Sequence, residues 1–200
     1  MLHIEEILQE LSKKRPIFRS EEDFNQSLNG LLKSHYGNCT SKAKVNGIKV
    51  DLMIENGDEE ILIQLKHKTR KISVMVDGVS FDLKNHGAQD QFRYDYLKDV
   101  KSLEPLCLDN PVRKGYAILL TNDHLYWQKP NKVDSVDKDF HLNEGRSISG
   151  TLVWSSTAGN GTTSSREEPI ELKGHYKMSW YNYSAFRSQD SEFRCLVVEV

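Results

Sequence analysis

"VNGIKVDLMIENGDEEILIQLKHKTR", residues 45–70, is the stretch whose reading decides the fold. Ile48, Val50, Leu52 and Ile54 alternate with Lys49, Asp51, Met53 and Glu55, the period of two of a pleated strand. Asn56-Gly57 supplies a turn, because both residues tolerate positive φ. In the strand that follows, Ile61, Ile63 and Leu65 point one way, and Leu62, Gln64 and Lys66 point the other. Asp51, Gln64 and Lys66 each stand opposite the most apolar row of their strand, and pairing across the turn lets them converge on one side of a sheet. An acid, an amide oxygen and an ammonium gathered there have the chemistry of a metal and phosphate site.

Upstream, Cys39 to Val45 reads as a strand joined to this one by the hairpin signal Asn46-Gly47. Ser20 to Tyr36 reads as a helix: Ser20 is an N-cap, and Glu21, Glu22 and Asp23 suit the positive helix start. Its apolar stripe is Phe24, Leu28, Leu31 and Leu32. At about 100° per residue, Glu21 falls near that stripe, while Glu22 and Asp23 fall away from it as solvated capping charges. An acid near a buried stripe needs a partner or a task. Residues 2–13 read as a shorter helix with Leu2, Ile4, Ile7, Leu8 and Leu11 on one side, ended before Pro16. That face packs on the body or takes a partner.

Downstream, the basic run His67, Lys68, Arg70 and Lys71 is a solvated strand end or a grip on a nucleic-acid backbone. "ISVMV" and "VSFDL" form a hairpin turning at Asp77-Gly78. His86 to Leu103 reads as a second helix with an apolar face of Ala88, Phe92, Tyr96, Val100 and Leu103 and with Gln89 at its edge. Asp90, Arg93, Tyr94 and Asp95 fall on an exposed side, where local ion pairs are expected. Pro105 and Pro111 bracket a loop, and "KGYAILLT" is a strand buried on both faces. "NDHLYWQKP" and "VDSVDKDFHLNEG" read as loops and short segments, and "STAGNGTTSSREEP" as a loop without the lysine of a P-loop. Two strands close the chain. Trp154, Tyr176, Trp180, Tyr181, Tyr183 and Phe186 serve sheet packing or, alternatively, base stacking.

A net charge of −2 means that any nucleic-acid surface is a local patch. Cys39, Cys107 and Cys195 are widely spaced and form no C-x-x-C pair, so free thiols in a reducing cytoplasm are expected. No signal-peptide pattern or membrane-spanning run is read from the sequence. The histidines show no H-E-x-x-H, and there is no G-x-S-x-G. No repeat or linker divides residues 1–200, which read as a single domain.

The order of a helix bearing Glu21, strands bearing Asp51 and Gln64-x-Lys66, a helix bearing Gln89 and then a buried strand resembles the PD-(D/E)XK nuclease superfamily. "SEEDFNQSL", "IQLKHKTR", "FDLKNHGAQDQFRYDYLKDV", "LTNDHLYW" and "YKMSWYNYS" are similar to a bacterial branch of it. The chain departs from the superfamily pattern at two places, with Val50 where the nominal proline stands and Gln64 where most members carry an acid. The resemblance implies an α/β (α+β) fold with a restriction endonuclease-like αβββαβ core at 18–122. In it a central mixed sheet is flanked by helices, and 123–200 forms an extension with additional strands packed on the core. It implies Mg²⁺ or Mn²⁺ held by Asp51, Gln64, the Leu65 carbonyl and Glu21, with Lys66 beside the scissile phosphate. Lys68, Arg70, Gln89 and Arg93 are the expected nucleic-acid contacts. The expected activity is cleavage of DNA in restriction, defence or repair, with a homodimer as one way to cut both strands. The alternative is a nuclease-like scaffold that binds nucleic acid or protein without cutting, its cage weakened by Gln64.

Overall fold

Hairpin chemistry builds the first half of the sheet. Asn46 and Gly47 both take positive φ, 49° and 85°, between paired Val45 and Ile48, and Asp77-Gly78 repeats the arrangement at 48° and 79°. The third turn is shifted by one residue from its expected place. Asn56 pairs with Glu59, so the turn residues are Gly57, at φ 61°, and Asp58, the pattern of a turn with glycine first. The structure is a computed structural model describing residues 3–132, 134–187 and 191–200. Leu2 of the first helix and Val133 of the expected loop lie outside the described residues.

In chain order, α1 (Ile4–Lys14) and α2 (Glu21–Tyr36) precede β1 (Cys39–Val45), β2 (Ile48–Asn56) and β3 (Glu59–Lys68). A hairpin of β4 (Ile72–Val76) and β5 (Val79–Leu83) leads to α3 (Gln89–Cys107) and β6 (Arg113–Thr121). A loop region follows, and then β7 (Ser147–Leu152), the single-turn α4 (Asn160–Thr163), β8 (Ile170–Lys177), β9 (Trp180–Ala185) and β10 (Glu192–Glu199).

The central sheet is mixed, in the order β1-β2-β3-β6-β10-β9. β3 and β6 are parallel, joined by the crossover helix α3, and the other neighbours are antiparallel. Helices cover both faces. α1 and α2 bury Ile7, Leu11, Phe24 and Leu28 against Leu52, Ile63 and Ile118 on one side. On the other, α3 buries Tyr96, Val100 and Leu103 against Leu62, Ala117 and Leu119, and the β7–β8 hairpin lies over the same core. Residues 123–200 thus do two things: β7 and β8 pack on the core, while β9 and β10 extend the central sheet itself. Tyr176, Trp180 and Tyr183 are buried, and Tyr181 is exposed.

Ser20 caps α2 as expected, accepting from the Asp23 N–H at 3.1 Å. Asp23 does more than cap, because its carboxylate also binds the Arg15 side chain at 2.7 Å and the Arg19 N–H at 2.9 Å. α3 begins at Gln89 rather than His86, since Ala88 takes a left-handed φ of 58°. It then runs through Pro105 to Cys107 instead of stopping at a loop, because Leu106 and Cys107 in that last turn are buried in the core. Gly115 on β6 allows this close approach. A Cβ there would stand 2.9 Å from Cys107 Sγ.

The C-terminal lobe is pinned to α3 by a buried acid that the sequence did not single out. Glu104 Oε1 accepts from the Lys173 N–H, the Gly174 N–H and the Tyr176 hydroxyl, each at 2.8 Å. Glu104→Ala removes the acceptor of three donors, the Tyr176 hydroxyl buried among them, and is expected to cost about 3 kcal/mol of stability. Glu104→Gln keeps an oxygen acceptor and is expected to cost about 1 kcal/mol, both read from denaturant unfolding.

Candidate functional site

The β2–β3 ladder stops at the Leu52–Ile63 pair. Beyond it β2 turns over. Leu52 and Ile54 pack on the α1–α2 face, whereas Val50 packs on the α3 face. On β1, Lys42 takes a φ of 54° between the Ser41–Leu52 and Ala43–Val50 pairs, level with Asp51. The single apolar row expected from Ile48 to Ile54 is therefore broken at Asp51, where the strands part.

Without β2 alongside, the edge of β3 carries backbone groups that are costly to leave unpaired. Side chains take the place of the strand. Asp51 Oδ2 accepts from the Leu65 N–H at 2.7 Å, and Glu21 Oε2 accepts from the His67 N–H at 3.0 Å. Gln64 Nε2 donates across the gap to the Lys49 carbonyl at 2.8 Å. The pleat puts the Leu65 carbonyl on the same edge as its N–H.

Lys66 leaves β3 on the α3 face, and its Nζ lies 2.8 Å from Asp99 Oδ2. Burial alone would push the pKa of this ammonium down, but Asp99, followed by Glu21 and Asp51, more than offsets it and the pKa is raised. Burial pushes the Asp99 carboxyl up to about 6, against the pull of Lys66. Glu21, Lys66, Lys68, Asp95 and Asp99 line an open cleft of about 350 Å³. Lys68 Nζ sits 4.9 Å from the centre of the Phe92 ring, and burial lowers its pKa.

The expected site residues divide among four places. Asp51, Gln64, Leu65 and Glu21 meet at the strand edge, and Glu21, Lys66 and Lys68 meet in the cleft. Arg70 turns toward the loop after β6, where its N–H donates to Asn122 Oδ1 and its Nη1 lies 3.0 Å from His124 Nδ1. Gln89 and Arg93 line a separate cavity of about 450 Å³. Gln89 donates to Asp123 at 3.0 Å, while Arg93 binds Asp137 at 2.6 Å and the Leu125 carbonyl at 2.8 Å. The local ion pairs expected along α3 are replaced by long-range ones, because Asp95 is held by both Arg166 Nε and Nη2 at 2.8 Å. The docked C-terminal lobe offers guanidinium and carboxylate partners that a neighbouring turn of helix cannot.

Asp99 and Asp95 were missed as members of the cleft. A signal for Asp99 was present: it lies three residues after Tyr96 and four before Leu103, so it shares their buried face. The rule that singled out Glu21 applies equally there.

The donor set at the strand edge is all oxygen, two carboxylates with an amide and a carbonyl, which suits a hard cation such as Mg²⁺ or Mn²⁺. Among the described residues no group of three or more His, Cys, Asp or Glu side chains is gathered to hold a metal. An ion here would therefore draw on Gln64 and Leu65 as well as on Asp51 and Glu21. Among the described residues, no helix is long and apolar enough to cross a membrane, and Cys39, Cys107 and Cys195 are buried free thiols. No family model, curated protein or solved structure matches this chain.

His67, next to Lys66, turns its ring into the opposite core between Phe18 and Phe24, with centroids at 6.4 Å from each. Burial, then the neighbouring His86, pushes its pKa down to about 4. Between pH 6.5 and 4 the unfolded chain binds a proton at His67 that the native state does not, so stability falls as the pH falls through this window. The full window is worth about 3 kcal/mol. Urea unfolding of wild type and His67→Leu across this range is expected to show a flatter pH dependence for the variant.

Proposed function

We propose that the chain is a metal-dependent phosphodiesterase, a nuclease acting on DNA, and that α2, β1–β3, α3 and β6 form a restriction endonuclease-like core. The observation that carries this reading is the parting of β2 from β3. It brings the carboxylates of Asp51 and Glu21 to the Leu65–His67 edge, with Lys66 facing an open cleft beside them. The order of a helix, three antiparallel strands, a crossover helix and a parallel strand supports the same reading.

Asp51, Gln64, the Leu65 carbonyl and Glu21 are the groups that would hold Mg²⁺ or Mn²⁺. The ion, when bound, supplies polarisation of the scissile phosphate and a lowered pKa for water. Lys66 offsets the negative charge that builds on the phosphate oxygens as the bond breaks. Lys68, half-buried over Phe92, holds the nucleic-acid backbone at the cleft wall and carries no sequence information. The carboxylates of Asp51 and Glu21 are held by the strand before substrate arrives, so little reorganisation is left for the reaction.

A binding scaffold is the second reading. It is favoured by the neutral Gln64, whose amide nitrogen is engaged by Lys49, and by the engagement of Lys66 with Asp99. Incubation of supercoiled, linear and single-stranded DNA and of RNA with Mg²⁺ or Mn²⁺ separates the two. Wild type is expected to cut at least one of these only with metal, and Lys66→Ala to lose about 100- to 1,000-fold in rate. Folded wild-type protein that cuts none of them would leave the scaffold reading standing.

A further inference from the structure

We propose that Asp99 is a positioning residue for the reaction in this cleft: reaching over from α3, it fixes the Lys66 ammonium in the place from which it meets the substrate phosphate. The inference rests on the phosphodiesterase reading above.

A lysine ammonium on four rotatable bonds is a poor catalyst unless something holds it, since misplacement by about 1 Å costs about 100-fold in rate. The backbone of Lys66 is already fixed by pairing with Leu119 in the parallel ladder. Among the described residues, the ion pair that holds its Nζ is the one to Asp99, at 2.8 Å, with both side chains about four-fifths buried, 23% and 20% exposed. The other acids around it are committed elsewhere. Asp51 and Glu21 each hold a backbone N–H of β3, and Asp95 is clamped by Arg166. The neighbouring cations, Lys68 and Lys98, cannot hold an ammonium.

Asp99 is itself well anchored. It is carried between Tyr96 and Leu103, both fully buried, and the Tyr96 hydroxyl donates to the Ala117 carbonyl of β6 at 3.0 Å. The carboxylate is thus referenced to the same pair of strands as the lysine it holds. An ammonium has three donors, so pairing with one carboxylate leaves it N–H groups for phosphate oxygens. The pair is a holder with a free side facing the cleft.

Steady-state cleavage of the substrate that wild type cuts, with Asp99→Ala and Asp99→Asn, tests this. Asp99→Ala is expected to lower kcat about 100-fold while KM stays within about twofold. Asp99→Asn, nearly isosteric and still offering an amide oxygen to Nζ, is expected to fall between that variant and wild type. A strut needed only for folding would lower thermal stability and leave kcat per folded molecule unchanged, and that result overturns the proposal. A rise in KM alone also overturns it, by assigning Asp99 to binding. If Asp99→Ala does not fold, Asp99→Asn decides by the same split. Wild type that cuts nothing sinks the phosphodiesterase reading and this proposal with it, whereas active wild type with equally active variants sinks only the proposal.

Discussion

A β-strand that loses its neighbour must find other partners for its N–H and C=O groups, and that requirement shapes this molecule at Leu65 and His67. β2 leaves β3 after Leu52, and the carboxylates of Asp51 and Glu21 take over the ladder from β1's neighbour and from α2. The acids at the candidate site are therefore structural groups as well. Glu21 stands at the rim of α2, yet its carboxylate ties that helix to the sheet. The same bond fixes where the helix start lies over β3. Geometry at the site and continuity of the sheet share the same hydrogen bonds.

α3 carries the second half of the arrangement. A parallel β3–β6 pair needs a crossover, and the crossover helix necessarily passes over one face of the strands it joins. This lays Asp95 and Asp99 above Lys66 and Lys68, and fills the cleft with compensating charge. The same helix also holds the C-terminal lobe: Glu104 binds the β8 backbone, Asp95 pairs with Arg166, Arg93 with Asp137, and the Tyr94 hydroxyl donates to the Glu168 carbonyl. The lobe and the cleft thus read the position of one helix.

Much of the sheet was legible because period-two patterning and turn glycines act locally. β1 to β6 and the capped helix α2 follow from residues within a few positions of one another. Glu21 was legible for a related reason, an acid near an apolar stripe. Asp99 obeys the same rule and was passed over because its helix face was read as purely apolar. The break in β2 at Asp51 was not legible, since it depends on Lys42 of another strand and on where the β3 ladder ends. β7 was missed because only Ile148 and Leu152 of its six residues are buried and its register with β8 shifts between Ile148 and Gly150. The extension of α3 through Pro105 reflects burial of Leu106 and Cys107, a tertiary gain that outweighs a local penalty. The partners of Arg93 and Asp95 lie on segments far along the chain, beyond the reach of helix-spacing rules.

The place of β10 has a consequence for how the polypeptide is made. β6 is the middle of the finished sheet, but the strand that covers its second edge follows every other strand of the sheet in sequence. During synthesis, Ala117 to Leu120, fully buried in the finished protein, stand on an open apolar edge until residues 192–199 leave the ribosome. Such an edge is a template for intermolecular strand pairing. The nascent chain is accordingly most prone to aggregate late in translation, and interruption shortly before β10 yields a product that is worse than incomplete.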